Sequence, residues 1–163
     1  MNDKFFIDTN IFVYSFDSNS PVKQKISQEM IKKALGDQQG CISSQVIQEF
    51  LHVSSKKFNP ALSSEDCLKY LHTVFSPLCE IFTSIDLYRA TIEISERWKY
   101  SFYDSMIITA ALQTNCGILY SEDLQHNQKV QTLTIINPFI PSWHPMNDWS
   151  WNDPVYNWQW KMQ

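Results

Sequence analysis

The sequence predicts an α/β fold, a parallel sheet of short buried strands covered by helices on both faces. Three observations predict it. Apolar runs at residues 4–7, 41–43, 78–82, 117–120 and 133–136 are too short for helices and lack the alternation of a half-solvated sheet. Longer stretches with helical spacing separate them, the pattern of strand–helix–strand units. The 163 residues, 44% hydrophobic and 18% charged, suffice for a single sizeable core and are too few for two ordinary domains.

Taken in order, residues 4–7 read as a strand, followed by a helical segment from Thr9 to about Phe16. Ser20 and Pro21 match an N-cap followed by an N1 proline, and the helix they start is expected to run to Leu35 and stop at Gly36. The strand at 41–43 leads to Ser44, a cap for a helix reaching about Lys56. Ser63 or Ser64 caps another helix that ends before Pro77. After the strand at 78–82 come helices over 85–100 and 104–115, then strands at 117–120 and 133–136. In such sheets ligands bind beyond the carboxyl ends of the strands.

From Pro138 the composition shifts to Trp, Pro and Asn, and five of the six tryptophans lie there: Trp143, Trp149, Trp151, Trp158 and Trp160. The chain therefore divides into a domain at 1–139 and a Trp-rich C-terminal extension at 140–163. The extension suits an irregular strap packed on protein. Stacking on unpaired bases is the alternative, and its formal charge (Asp148, Asp153 and Lys161) does not favour phosphate.

Cys41, Cys67, Cys79 and Cys116 show no C-x-x-C pair and no zinc spacing, and read as reduced thiols of a cytoplasmic protein. The first apolar run breaks at Asp8, and neither a signal-peptide core nor a membrane-spanning stretch is present in the sequence. The net charge of −4 opposes a nucleic-acid substrate unless some acids surround bound cations.

Four acids carry the chemical argument. Asp8 closes the first strand, where it also suits a helix N-cap. Glu49 lies at the border of the apolar stripe of Val46, Ile47, Phe50, Leu51 and Val53, away from the solvated face of Gln45, Gln48 and His52; the plain alternative is a boundary glutamate reaching outward. Asp104 begins a helix apolar nearly all round, a costly place for an unpaired carboxylate, although a first-turn acid also offsets the helix dipole. Asp123 follows the fourth strand, with Glu122 as a neighbour and rival. Gathered at one sheet edge, four carboxylates repel one another, and a divalent cation removes that penalty. Oxygen donors without cysteine or histidine suit Mg²⁺ or Mn²⁺ and not zinc. Such a site can hold a scissile phosphate and activate water. Asn10, Ser44 and Ser121 flank these positions and suit hydrogen bonds to a carboxylate or a bound water, besides ordinary turn and cap roles.

The segments resemble the PIN-domain family. Phe6-Ile7-Asp8-Thr9-Asn10 is similar to its first motif, Ser43 to Glu49 with Phe50 to its second, and Tyr103-Asp104-Ser105 with Ala110-Ala111 to its third. Ser121-Glu122-Asp123-Leu124-Gln125-His126 is similar to the fourth as written in VapC-type toxins. The resemblance spans Phe5 to about Phe139. It implies a three-layer α/β/α sandwich with a five-stranded parallel sheet, and endoribonuclease activity with Mg²⁺ or Mn²⁺. It further implies Asp8, Glu49, Asp104 and Asp123 as metal-binding and catalytic acids, with a metal-held water as nucleophile. A protein antitoxin and a homodimer complete the expectation. Asn127 stands where many relatives carry glycine, and asparagine tolerates a left-handed backbone. The Trp-rich tail has no counterpart in the family pattern.

Two other classes compete. A non-catalytic PIN-like interaction module would use the acids as caps and the tail to bind a protein. A phosphatase or phosphotransferase would use Asp8 as nucleophile, but the D-x-D of one such class is missing, since Thr9 and Asn10 follow Asp8. Lys23, Lys25, Lys32, Lys33, Lys56 and Lys57 suit RNA phosphates or a solvated face, and His126 suits a turn or a phosphate contact.

Overall fold

A computed structural model of the chain describes residues 3–140. The Trp-rich extension and its expected packing lie outside the described residues, apart from Ile140.

The strands are β1 (Phe5–Ile7), β2 (Gly40–Ser43), β3 (Cys79–Ile81), β4 (Ile118–Tyr120), β5 (Lys129–Val130) and β6 (Leu133–Ile136). They form one sheet in the order β3-β2-β1-β4-β6-β5. The five strands expected from sequence are present and run parallel. The expected sheet needs one correction: a sixth strand, β5, pairs antiparallel with β6. Two residues are too few to show a period, and the turn between them is made by Gln131, at φ 55°, and Thr132 rather than by a glycine.

Phe5, Phe6 and Ile7 are all buried although successive strand residues point to opposite faces, so helices cover both sides. The helices are α1 (Thr9–Tyr14), α2 (Pro21–Asp37), α3 (Ser44–Lys56), α4 (Ser64–Tyr70), α5 (Ser76–Leu78), α6 (Ile85–Trp98) and α7 (Phe102–Gln113). A π-helical turn, Leu71–Phe75, joins α4 to α5, so the chain runs on past Tyr70 and reaches β3 through Pro77. An aromatic cluster ties α1, α3, α4 and that turn together. Phe50 stacks on Tyr70 at 5.2 Å and meets Phe75 edge-on at 5.1 Å, and Phe12 meets Phe75 at 5.1 Å. The second helical group is α6 packed along α7, with α7 against β2 and β4. Ser105 through Ala111 are all buried, as the apolar sequence of α7 requires.

Helix ends differ in detail from expectation. Helix α2 passes through Gly36 and stops at Gln38, which takes the left-handed position at φ 55°. Ser43, not Ser44, occupies the N-cap of α3, without a side-chain cap bond. Ser63 caps α4, accepting the Asp66 N–H. Helix α7 begins two residues before Asp104, because Ser101 caps it. No helix among the described residues is long and apolar enough to cross a membrane.

The sheet order places the topological switch between β1 and β4. The chain runs outward from β1 to β2 and β3, then returns to the other side of β1 with β4. The crevice expected at a switch point thus opens where β1 and β4 end, at Asp8 and at the turn after Tyr120.

Candidate active site

Asp8 leaves β1 as the N-cap of α1. Its Oδ1 accepts the Thr9 N–H at 2.7 Å, and its own N–H donates to the Tyr120 carbonyl at 3.0 Å, joining it to the end of β4. Its other oxygen, Oδ2, accepts the Ser121 hydroxyl at 2.7 Å. The cap role and the proximity to other acids coexist. Asp8 is only 8% exposed. Burial pushes its carboxyl up from 3.8 to about 6, against the Ser121 and Thr9 hydrogen bonds, while the negative charges of Glu49 and Asp123 add to the rise.

Glu49 is half-buried on α3 and is reached by two donors. Thr9 Oγ1 donates to its Oε2 at 2.7 Å, and Gln45 Nε2 to its Oε1 at 2.8 Å. Gln45 is buried, so the face expected to be solvated is so only at Gln48 and His52. Thr9 and Gln45 are the members of this network that sequence reading missed. Gln45 carried a signal, since it lies one helical turn before Glu49.

Asp123 is exposed, and its Oδ2 accepts Asn10 Nδ2 at 3.1 Å. Ser121 Oγ accepts the Asp123 N–H at 3.2 Å while its hydroxyl donates to Asp8, so one buried serine links both acids. Glu122 is paired with Lys23 and Asp123 is not, which separates the two rivals.

Asp104 stands at the third position of α7 in a reciprocal cap. Ser101 Oγ accepts its N–H at 3.2 Å and donates to its Oδ2 at 2.8 Å. It is half-buried, less enclosed than the apolar helix suggested. Its connection to the others is indirect: Gln45 Nε2, the donor to Glu49, also reaches the Tyr103 carbonyl at 3.3 Å. Asp8, Glu49 and Asp123 are thus drawn together through Thr9, Asn10 and Ser121, with Asp104 at the margin.

Ser44 lies apart from this network. Its hydroxyl meets Thr83 Oγ1 at 3.2 Å and accepts the Thr83 N–H at 3.1 Å, pinning the start of α3 to the β3–α6 connection. His126 Nδ1 accepts the Asn137 N–H at 3.1 Å, a turn contact at the end of β6. Asn127 takes the left-handed backbone at φ 64°. Cys41 and Cys116 are buried with their Sγ atoms 3.3 Å apart and unbridged.

The donor set fits a hard divalent cation. All four acids offer oxygen, and Asn10 Oδ1 is buried without a hydrogen-bond partner beside Asp123. In this conformation no group of three acidic, histidine or cysteine side chains among the described residues is arranged to enclose an ion. Hydroxyl and amide donors hold Asp8 and Glu49 instead.

The PIN domain pattern matches residues 5–130, and the chain belongs to the PIN-domain family. Solved structures share the fold at low identity. A toxin–antitoxin complex from Klebsiella pneumoniae is 15% identical with a TM-score of 0.61, covering 83% of this chain and 98% of that one. DNA-bound VapBC from Salmonella typhimurium is 20% identical with a TM-score of 0.56, covering 81% and 96%. VapC20 of Mycobacterium tuberculosis, a sarcin–ricin loop cleaving toxin, is 13% identical with a TM-score of 0.52, covering 72% and 88%. No curated protein matched the sequence.

Proposed function

We propose that this chain is a metal-dependent endoribonuclease of the VapC type, the toxin of a toxin–antitoxin pair, working in the cytoplasm. The observation that carries the reading is the buried Asp8 carboxyl at the β1–β4 switch point, joined through Ser121 to Asp123 and lying within the field of Glu49. A carboxylate held there costs stability, and that cost is explained when it serves a bound cation. The neighbours described as toxins and toxin–antitoxin complexes support the class of activity and an antitoxin partner.

Asp8, Glu49, Asp104 and Asp123 would hold Mg²⁺ or Mn²⁺, with Asn10 Oδ1 as a spare oxygen. When bound, such a cation neutralises the carboxylates, polarises the scissile phosphodiester and lowers the pKa of water. The chain's own residues orient the acids. Thr9 and Gln45 fix the two oxygens of Glu49, Ser101 fixes Asp104, and Ser121 sets Asp8 relative to Asp123. Half-burial of Glu49 and burial of Asp8 keep bulk water from the inner side of the site.

A homodimer belongs to the same reading. Phe82 in the β3–α6 connection, Ile85 and Ile92 on α6, and Tyr103 at the start of α7 are each more than 60% exposed, apolar surface that supports a protein partner. The test is cleavage of single-stranded RNA with Mn²⁺ by the full chain and by Asp8→Asn and Asp104→Asn variants. Loss of cleavage in folded variants is expected, by at least ~100-fold. Unchanged cleavage places the chemistry elsewhere.

A further inference from the structure

One charged group beside the acids takes no part in the proposed cation chemistry. Lys23, in the first turn of α2, reaches across the fold to pair with the carboxylate of Glu122. Its ammonium also donates to the Tyr14 hydroxyl at 3.2 Å. It lies 4.4 Å from the centre of the Tyr14 ring and 5.2 Å from that of Phe139, and these rings meet edge-on at 5.2 Å. Helix α1, helix α2, the turn after β4 and the segment after β6 thus converge on one cation.

An ordinary surface ion pair contributes little, because two long side chains must be ordered to form it. Here two rings and a hydroxyl restrict the ammonium, and it attracts those rings as well. Glu122 directly precedes Asp123, in a turn without regular secondary structure. Released from Lys23, its carboxylate would be free to approach Asp8 and Asp123 and add negative charge to a self-repelling group. The turn is held on its inner side by Ser121 and Asn10. Lys23 supplies the restraint on the outer side.

We propose that Lys23 is a positioning residue: its ammonium, fixed by Tyr14 and Phe139, keeps Glu122 out of the acid cluster and so sets the turn that presents Asp123. The proposal rests on the ribonuclease reading and assigns Glu122 to the turn rather than to the cation.

The test compares Lys23→Met, Lys23→Arg, Glu122→Gln and Asp8→Asn in the full-length chain. Two measurements are made: steady-state cleavage of a single-stranded RNA oligonucleotide with Mn²⁺, and amide hydrogen exchange at residues 121–123 without cation. Lys23→Met is expected to lower kcat about tenfold with KM within about twofold, the usual scale for residues that orient ligands. Exchange at the turn should rise about tenfold as its local opening becomes easier. Lys23→Arg should keep kcat within about threefold, since the charge and ring contacts persist. Glu122→Gln breaks the ion pair while leaving the Lys23 packing intact, so it decides the matter if Lys23→Met does not fold; turn exchange should rise as in Lys23→Met, and kcat should fall less, because no carboxylate is released toward the acids.

A raised KM with kcat unchanged and a shallower salt dependence would make Lys23 a phosphate contact and overturn the proposal. A lower melting temperature with kcat and turn exchange unchanged would reduce it to packing. Equal cleavage by wild type and Asp8→Asn would sink the acid-site reading, and the proposal with it, independently of the Lys23 data.

Discussion

Asp8→Asn should stabilise the cation-free protein at neutral pH while abolishing its proposed activity. The Asp8 carboxyl is raised from 3.8 to about 6 in the folded chain, chiefly by burial. The folded state therefore holds this proton more tightly than the unfolded chain does, and ionising it opposes folding. Below about pH 4 the group is protonated in both states and costs nothing. From pH 4 to 6 the unfolded chain loses the proton first, and stability falls as pH rises. Above pH 6 the cost is complete, about 3 kcal/mol for a shift of this size. Asparagine keeps an oxygen for the Thr9 N–H, so the cap on α1 survives. Its amide cannot accept the Ser121 hydroxyl as Oδ2 does, a loss of about 1 kcal/mol. The net gain at pH 7.5 is then about 2 kcal/mol. Urea unfolding of both proteins in a chelator, from pH 4.5 to 8, measures it. A stability difference that does not change with pH, or a variant less stable at every pH, would refute the reasoning.

Other outcomes follow from packing and capping. A Cβ on Gly40 would lie 2.3 Å from Ala34 Cβ and 2.8 Å from Ala34 Cα, so Gly40→Ala should cost about 1–3 kcal/mol by urea unfolding. Phe50→Ala removes a fully buried ring from the cluster with Tyr70 and Phe75 and should cost about 3–5 kcal/mol by the same assay. Ser101→Ala removes the cap of α7 and the donor to Asp104. It should cost about 1 kcal/mol in stability, and RNA cleavage should fall more than that loss explains.

Much of the fold was legible because buried strands and apolar helices leave periodic traces. The five parallel strands and the position of α7 followed from runs such as Phe5-Phe6-Ile7 and Met106-Ile107-Ile108. What escaped was set by backbone conformation or by partners distant in sequence. Gln38 and Gln131 adopt left-handed φ without being glycine, so the end of α2 and the β5–β6 turn carried no composition signal. In the site, Asp8 and Asp123 could be placed because strand ends mark the crevice. The partner of Ser44 is Thr83, 39 residues away, which no local pattern indicates. The buried state of Gln45 depends on the approach of Tyr103 from α7, again a long-range fact. The likeness of Glu122 and Asp123 in sequence was resolved only by Lys23, 99 positions from Glu122.

In the proposed ribonuclease, the acids at the β1–β4 edge together bind one or more divalent cations. Anomalous diffraction from a crystal soaked in Mn²⁺ tests it most directly. The expected result is a manganese peak coordinated by Asp8 and at least one of Glu49, Asp104 and Asp123. A crystal saturated with Mn²⁺ that shows no peak at Asp8, or only peaks elsewhere on the surface, would contradict it.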